Sequence, residues 1–221
     1  MKMNKFKAVI FDMDGVLVDT EQFYAQRREE FFSNHNISIQ HMKYSDFIGG
    51  NMREIWPQIL GVDFDQDEAA KLHAAYLKLK DNNPLPYKEL LFPDVKAVLE
   101  ALEKDNYKIG LASSSAMQDI DEMLNVHGLR PYFKSILSGN DLKATKPHPE
   151  IYQLSMKALN VKPEETLIIE DSEKGIAAGK AAGATVWAIE DTRFGMNQAA
   201  ADAWFPNLTA VKEKLESLST N

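Results

Sequence analysis

Short apolar runs of buried-strand character, separated by segments with helical spacing, constrain this chain most. The runs lie at residues 5–12 (KFKAVIFD), 108–112 (KIGLA), 135–137 (SIL), 166–169 (TLII) and 185–189 (TVWAI). They are short and rich in β-branched or aromatic residues, without the polar alternation of a strand that faces water on one side. Between them, residues 93–104, 116–127, 150–159 and 173–182 have the spacing of amphipathic helices. Strands that alternate with helices predict a parallel sheet covered on both faces. The fold class expected is therefore α/β, a Rossmann-like doubly wound parallel sheet. The small residues between 175 and 184 read as a helix packed closely on that sheet, and a last helix is expected over 208–218.

Residues 22–83 break the alternation. They hold no convincing buried strand, and helices are predicted at 21–34, 44–60 and 66–79. Leu72, Tyr76 and Leu79 share one helix face. This segment reads as a helical domain inserted after the first strand. Its borders are near residues 19–21 and at Asn82-Asn83-Pro84-Leu85-Pro86, which no helix would cross. The division expected is a core of residues 1–20 and 85–221 with an inserted domain of residues 21–84.

The chemistry gathers where the strand runs end. The first ends in Asp12-Met13-Asp14-Gly15 and the fourth in Glu170-Asp171-Ser172. In open α/β sheets ligands bind beyond the carboxyl ends of the strands. Paired acids there repel each other unless a cation joins them. Gly15 permits the tight turn that brings Asp12 and Asp14 to one place. If the two strands are neighbours, four carboxyl groups converge. An all-oxygen ligand set favours a hard cation such as magnesium. Ser113-Ser114-Ser115 follows the second run, where hydroxyls and free N–H groups can hold a phosphoryl oxygen. Lys146 precedes Pro147 and could offset negative charge on the site and a phosphate. Alone, the D-x-D reads equally as a solvated turn, the serines as a helix cap and the lysine as a surface side chain. Their combination favours a site.

Composition closes off other classes. The formal net charge of −8 argues against binding nucleic acid or an anionic membrane through the general field. No apolar run is long enough to span a bilayer. The absence of cysteine excludes disulfides and thiolate metal sites. The N-terminal residues read as a first strand rather than a targeting segment, so a cytoplasmic enzyme is expected. The histidines lack metal-like spacing: His35, His41, His73 and His127 read as surface or helix residues.

Taken in order, FDMDGVLVDTE, LASSS, KPHPEIY and IIEDSEKGIAAGKAAGA resemble the four motifs of the haloacid dehalogenase-like hydrolase superfamily. The resemblance covers nearly the whole chain. The helical insertion resembles the small cap of the subgroup that contains β-phosphoglucomutase and phosphoglycolate phosphatase, whose members are often monomers, so the resemblance implies a monomer. By this resemblance Asp12 is a nucleophile that forms an aspartyl-phosphate, and Asp14 is the general acid and base. Ser113, with the backbone of Ser114, binds phosphoryl oxygens, and Lys146 neutralises charge. Magnesium is held by Asp12, the carbonyl of Asp14, and Asp171, with Glu170 a direct or water-mediated ligand. The segment Gly49-Gly50-Asn51-Met52-Arg53 resembles a cap loop that carries a substrate-binding arginine, which assigns Arg53 to the site. The reaction implied is magnesium-dependent hydrolysis of a small phosphorylated metabolite such as a sugar phosphate.

Two alternatives stand beside it. A phosphomutase of the β-phosphoglucomutase type would carry a histidine at Tyr24 and a lysine at Gly49, and this chain has neither. A non-catalytic binding protein on the same fold is disfavoured by the presence of Asp12, Asp14, Lys146 and Asp171 together.

Overall fold

The structure is a computed structural model that describes residues 6–220. The strands are β1 (Ala8–Phe11), β2 (Lys108–Ser113), β3 (Phe133–Ser138), β4 (Thr166–Glu170), β5 (Thr185–Ile189) and β6 (Ala203–Phe205). They form one parallel sheet in the order β3-β2-β1-β4-β5-β6. The strand order reverses at β1, which lies between β2 and β4, and this is the crevice where such sheets bind ligands. Phe11 is in register with both Leu111 and Ile169. The next residues, Asp12, Ala112 and Glu170, therefore leave the sheet at one level.

The helices are α1 (Glu21–Asn34), α2 (Met52–Leu60), α3 (Gln66–Asn82), α4 (Tyr87–Leu90), α5 (Val95–Lys104), α6 (Met117–His127), α7 (Glu150–Leu159), α8 (Glu173–Ala181) and α9 (Leu208–Thr220). The period-2 geometry of the strands sorts their side chains between two cores. Val9, Phe11, Ile109, Leu111, Leu167 and Ile169 pack with apolar residues of α5, α6 and α9. Ala8, Ile10, Ala112, Ile168 and Val186 pack on the other face with α7 and α8. The central strands β1 and β4 are buried at every position because both faces are covered. The small residues of α8 act as expected. A Cβ on Gly179 would stand 2.7 Å from Val186 Cγ2, so only glycine allows this separation from the sheet.

Residues between β1 and β2 build a third apolar cluster, formed by Phe31, Phe32, Phe47, Ile55, Trp56, Ile59, Leu72 and Tyr76. Aromatic edges fill it, as in Phe31 against Tyr76 at 5.3 Å and 87°. One expectation is corrected and two elements are added. The helix predicted over 44–60 is broken: a 3-10 turn at Tyr44–Phe47 is followed by an extended Ile48, Gly49 at φ +73° and Asn51, which caps α2 by accepting the Arg53 N–H. Adjacent glycines stop a helix whose apolar spacing otherwise continues. A sixth strand, β6, was not foreseen, because three half-exposed residues carry no periodic signal. The short α4 was also missed; a single turn has too few residues to show a period. Among the described residues no helix is long and apolar enough to cross a membrane.

Candidate active site

The site is built around Lys146. Its ammonium donates to Asp12 Oδ1 at 2.5 Å, Glu170 Oε1 at 2.7 Å and the Ala112 carbonyl at 3.0 Å. It also lies 4.9 Å from the centre of the Tyr152 ring. Lys146 is only 3% exposed, which is sustainable for a cation only because all three ammonium protons find oxygen partners. Burial works against the ammonium, yet Asp12 and Glu170 outweigh it and push its pKa up.

Glu170 is the fixed anchor of this group. Oε1 accepts from Lys146 and from the Tyr152 hydroxyl at 2.6 Å. Oε2 accepts from the N–H groups of Asp171 and Ser172 and from the Ser172 hydroxyl. Burial pushes the Glu170 carboxyl up, but Lys146 and these donors prevail and hold it below its ordinary value. Room for it comes from α8: a Cβ on Gly175 would lie 1.8 Å from Glu170 Oε1.

Asp12, Glu170 and Asp171 each offer an oxygen within 4.8 Å of the others. Burial pushes the carboxyls of Asp12 and Asp171 well up, and the neighbouring acids add to this. Asp171 Oδ2 is buried and has no hydrogen-bond partner. Gly15, at φ +77°, packs directly on it; an added Cβ would be 2.0 Å away. An orphaned buried carboxylate oxygen beside a second carboxylate fits an oxygen-liganded divalent cation.

Asp14 is oriented separately. Oδ1 accepts from the Thr20 hydroxyl at 2.6 Å and Oδ2 from the Ser115 hydroxyl at 2.8 Å. Burial raises its pKa and these bonds lower it, with burial prevailing. Ser113 is fully buried and its hydroxyl accepts the Ser115 N–H at 3.0 Å.

A cavity of about 320 Å³ opens above these groups. Asp12, Asp14, Ser114, Ser115 and Asp171 line its floor, and residues of the helical segment, including Tyr24, Arg27, Arg28, Arg53 and His73, line its other walls. Ser113, Lys146 and Glu170 stand behind the floor rather than on it. The helical segment is tied down over the cavity. Ser114 donates to the Gly49 carbonyl at 3.0 Å, Lys174 to the Asp46 carbonyl at 2.6 Å and Asn51 to Asn140 at 2.9 Å. Lys80 pairs with Asp119, and Tyr44 stacks on Phe194 at 4.8 Å.

The structure thus brings Asp12, Asp14, Ser114, Lys146, Glu170 and Asp171 together, with Ser113 beneath and Arg53 on the cavity wall. The sequence reading missed Thr20, Ser115 and Tyr152, whose hydroxyls hold the acids. Thr20 and Ser115 lie within motifs already singled out; Tyr152 shows no signal beyond its place in KPHPEIY. His73, read as a helix residue of no special role, lines the cavity and accepts from the Trp56 indole at 3.2 Å.

Comparison with known proteins gives this arrangement its context. The family model described as haloacid dehalogenase-like hydrolase matches residues 9–189. A phosphorylated carbohydrates phosphatase of Thermotoga maritima is 32% identical over 179 residues, 80% of this chain and 82% of that protein. A pyrophosphatase of Oceanobacillus iheyensis, PpaX, is 26% identical over 194 residues, 85% and 87% of the two chains. The crystal structure of β-phosphoglucomutase from Clostridium difficile superposes with a TM-score of 0.79 at 25% identity, covering 97% of each chain. With its motifs gathered at one sheet edge and phosphatases among its relatives, the chain belongs to the haloacid dehalogenase-like hydrolase family as an enzyme of the phosphatase type.

Proposed function

We propose that this protein is a magnesium-dependent phosphatase that hydrolyses a small phosphorylated metabolite, a sugar phosphate in the first instance, through an aspartyl-phosphate on Asp12. The observation that carries the reading is the pairing of two acids in one cavity with different surroundings. Asp12 is bonded to Lys146, and Asp14 is held by two hydroxyls. Acids in unlike environments divide into nucleophile and proton carrier.

In the first half-reaction an Asp12 oxygen attacks phosphorus. The bond from phosphorus to the ester oxygen breaks, and Asp14 gives that oxygen its proton. In the second, Asp14 takes a proton from water, the water oxygen bonds to phosphorus, and the bond to Asp12 breaks to release phosphate. Thr20 and Ser115 keep Asp14 pointed at the leaving oxygen. Burial raises its pKa, which favours its carrying a proton at the start. The Ser113 hydroxyl accepts from Ser115 and so keeps its own proton to donate to a phosphoryl oxygen. Lys146 offsets charge on Asp12 and the transferring group. Asp12, Asp171 and the carbonyl of Asp14 would hold the magnesium ion. Bound there, it would keep the carboxylates ionised and offset charge on the phosphoryl oxygens. Glu170, with both oxygens already engaged, acts by positioning Lys146 and reaches the ion through water.

Residues 21–84 are proposed as a cap on a core of residues 1–20 and 85–221. Their own apolar cluster and the few polar ties at the cavity rim support this. A cap that closes excludes bulk water and lets its residues select substrate. Arg53, on the rim, is proposed as one of them. The likeness to a phosphoglucomutase structure keeps a mutase as the second reading. The neutral Tyr24 and Gly49 at cap positions favour hydrolysis.

The test is phosphate release from a panel of phosphorylated metabolites, with magnesium and with EDTA, in the wild type and in Asp12→Asn. Magnesium-dependent release that Asp12→Asn abolishes, with its circular dichroism unchanged, is expected. Substantial turnover by Asp12→Asn removes the nucleophile assignment. Conversion of β-glucose 1-phosphate to glucose 6-phosphate with little free phosphate establishes the mutase.

A further inference from the structure

We infer that Arg27 and Arg28 form a second anion subsite in the active-site cavity, so that the substrate carries a second phosphate or a carboxylate in addition to the phosphate presented to Asp12. The inference rests on the phosphatase reading and adds the substrate class to it. Both arginines line the cavity that holds Asp12 and Asp14. They are 4% and 6% exposed, in a chain whose formal net charge is −8. Guanidinium groups do not lose their proton in a protein. Two permanent cations are thus buried; among the described residues neither forms a salt bridge within about 4 Å, and the carboxyl that acts on Arg28 at longer range is Glu21, on the same cavity wall.

Their hydrogen bonding is incomplete as well. Arg27 Nη2 donates to the Asn83 carbonyl at 2.6 Å, but its Nε and Nη1 have no partner. Arg28 Nη2 also has none. A buried guanidinium with unpaired N–H groups is costly, and a fold that serves only its own stability does not retain two of them. Aromatic rings keep both in place: Arg28 lies 5.3 Å from the Tyr44 ring centre and 5.2 Å from that of Phe47, and Arg27 lies 5.7 Å from that of Tyr24. Stacked guanidiniums with free edges are preorganised to bind a carboxylate or phosphate through paired hydrogen bonds.

Their position sets the substrate's length. Thr20, which holds Asp14, directly precedes α1. Arg27 and Arg28 lie about two turns further on, roughly 10 Å along the helix axis. Helical side chains lean back toward the N-terminus, which turns both guanidiniums toward the acids. On that span, the substrate expected is a chain of about three to six carbons with an anionic group at each end.

Binding to the Asp12→Asn chain, with magnesium, tests this without needing turnover. Calorimetry compares 3-phosphoglycerate with glycerol 3-phosphate, and fructose 1,6-bisphosphate with fructose 1-phosphate. In at least one pair the two-anion member should bind at least about tenfold tighter. Adding Arg28→Gln or Arg27→Gln should bring that ratio close to one. Arg27→Lys and Arg28→Lys, which retain the charge, should keep part of it and control for folding. A preference in the first pair alone identifies a carboxylate, and in the second alone a phosphate. Equal binding in both pairs, or a preference that survives both glutamine substitutions, overturns the subsite. If the ratios behave as expected but the wild type releases no phosphate from any of the four compounds, the phosphatase reading fails and the subsite stands.

Discussion

Replacing Lys146 with methionine tests the electrostatic design of the site. The side chain keeps its length and loses the ammonium, so the bonds to Asp12, Glu170 and the Ala112 carbonyl disappear together. Two carboxylates are then left without their cation, Glu170 with no exposure at all. Breaking a buried pair in this way costs about 3–5 kcal/mol. The loss should depend on pH. In the wild type Glu170 titrates below its ordinary 4.5, so its contribution is present above that pH and is lost as pH falls. Without Lys146, burial dominates and the carboxyl titrates above 4.5, so ionising it destabilises the fold as pH rises. The stability gap between wild type and Lys146→Met should therefore be wider at pH 8 than at pH 5. Each unit by which the variant's buried carboxyl is raised adds about 1.4 kcal/mol. Urea unfolding in EDTA, followed by tryptophan fluorescence at both pH values, measures the gap. A loss under about 1 kcal/mol, equal at pH 5 and pH 8, would refute the reasoning.

Other expectations follow from single positions. Gly15→Ala forces a Cβ into the left-handed region, costing about 1–2 kcal/mol, and drives it into Asp171. Magnesium affinity should fall with it, and an unchanged affinity by calorimetry would show that Asp171 does not hold the ion. Burial pushes Glu21 up from 4.5 to about 7, against the pull of Arg28. The folded chain therefore holds a proton there that the unfolded chain releases, and stability from this group declines as pH rises between those values. Glu21→Gln should gain about 2–3 kcal/mol on the wild type between pH 5 and pH 8; thermal melts that move in parallel across that range would contradict it. Arg53→Ala should raise KM about tenfold with kcat little changed, as for a lost binding contact. An unaltered KM places this arginine outside the site.

Most of the parallel sheet and the acids at its edge were legible in the sequence. Short strand runs without polar alternation must be covered on both faces, and acids at the ends of two such runs must meet if those strands are neighbours. That is how Asp12, Asp14, Glu170 and Asp171 stand out in the sequence. The hydroxyl motif and Lys146 were legible only through their order along the chain, since each alone has a bland explanation. The rest depends on register and on which helices face the cavity. Glu170 could not be recognised as the anchor of Lys146 until Tyr152, Ser172 and Gly175 were seen around it. Arg27 and Arg28, on a helix with a weak apolar face, carry no signal in the sequence. Their burial arises only because α2, α3 and the Tyr44–Phe47 turn close over α1. Local periodicity tells which side of an element is apolar, whereas the cost of burying a charge depends on partners distant in the chain, and only the assembled fold names them.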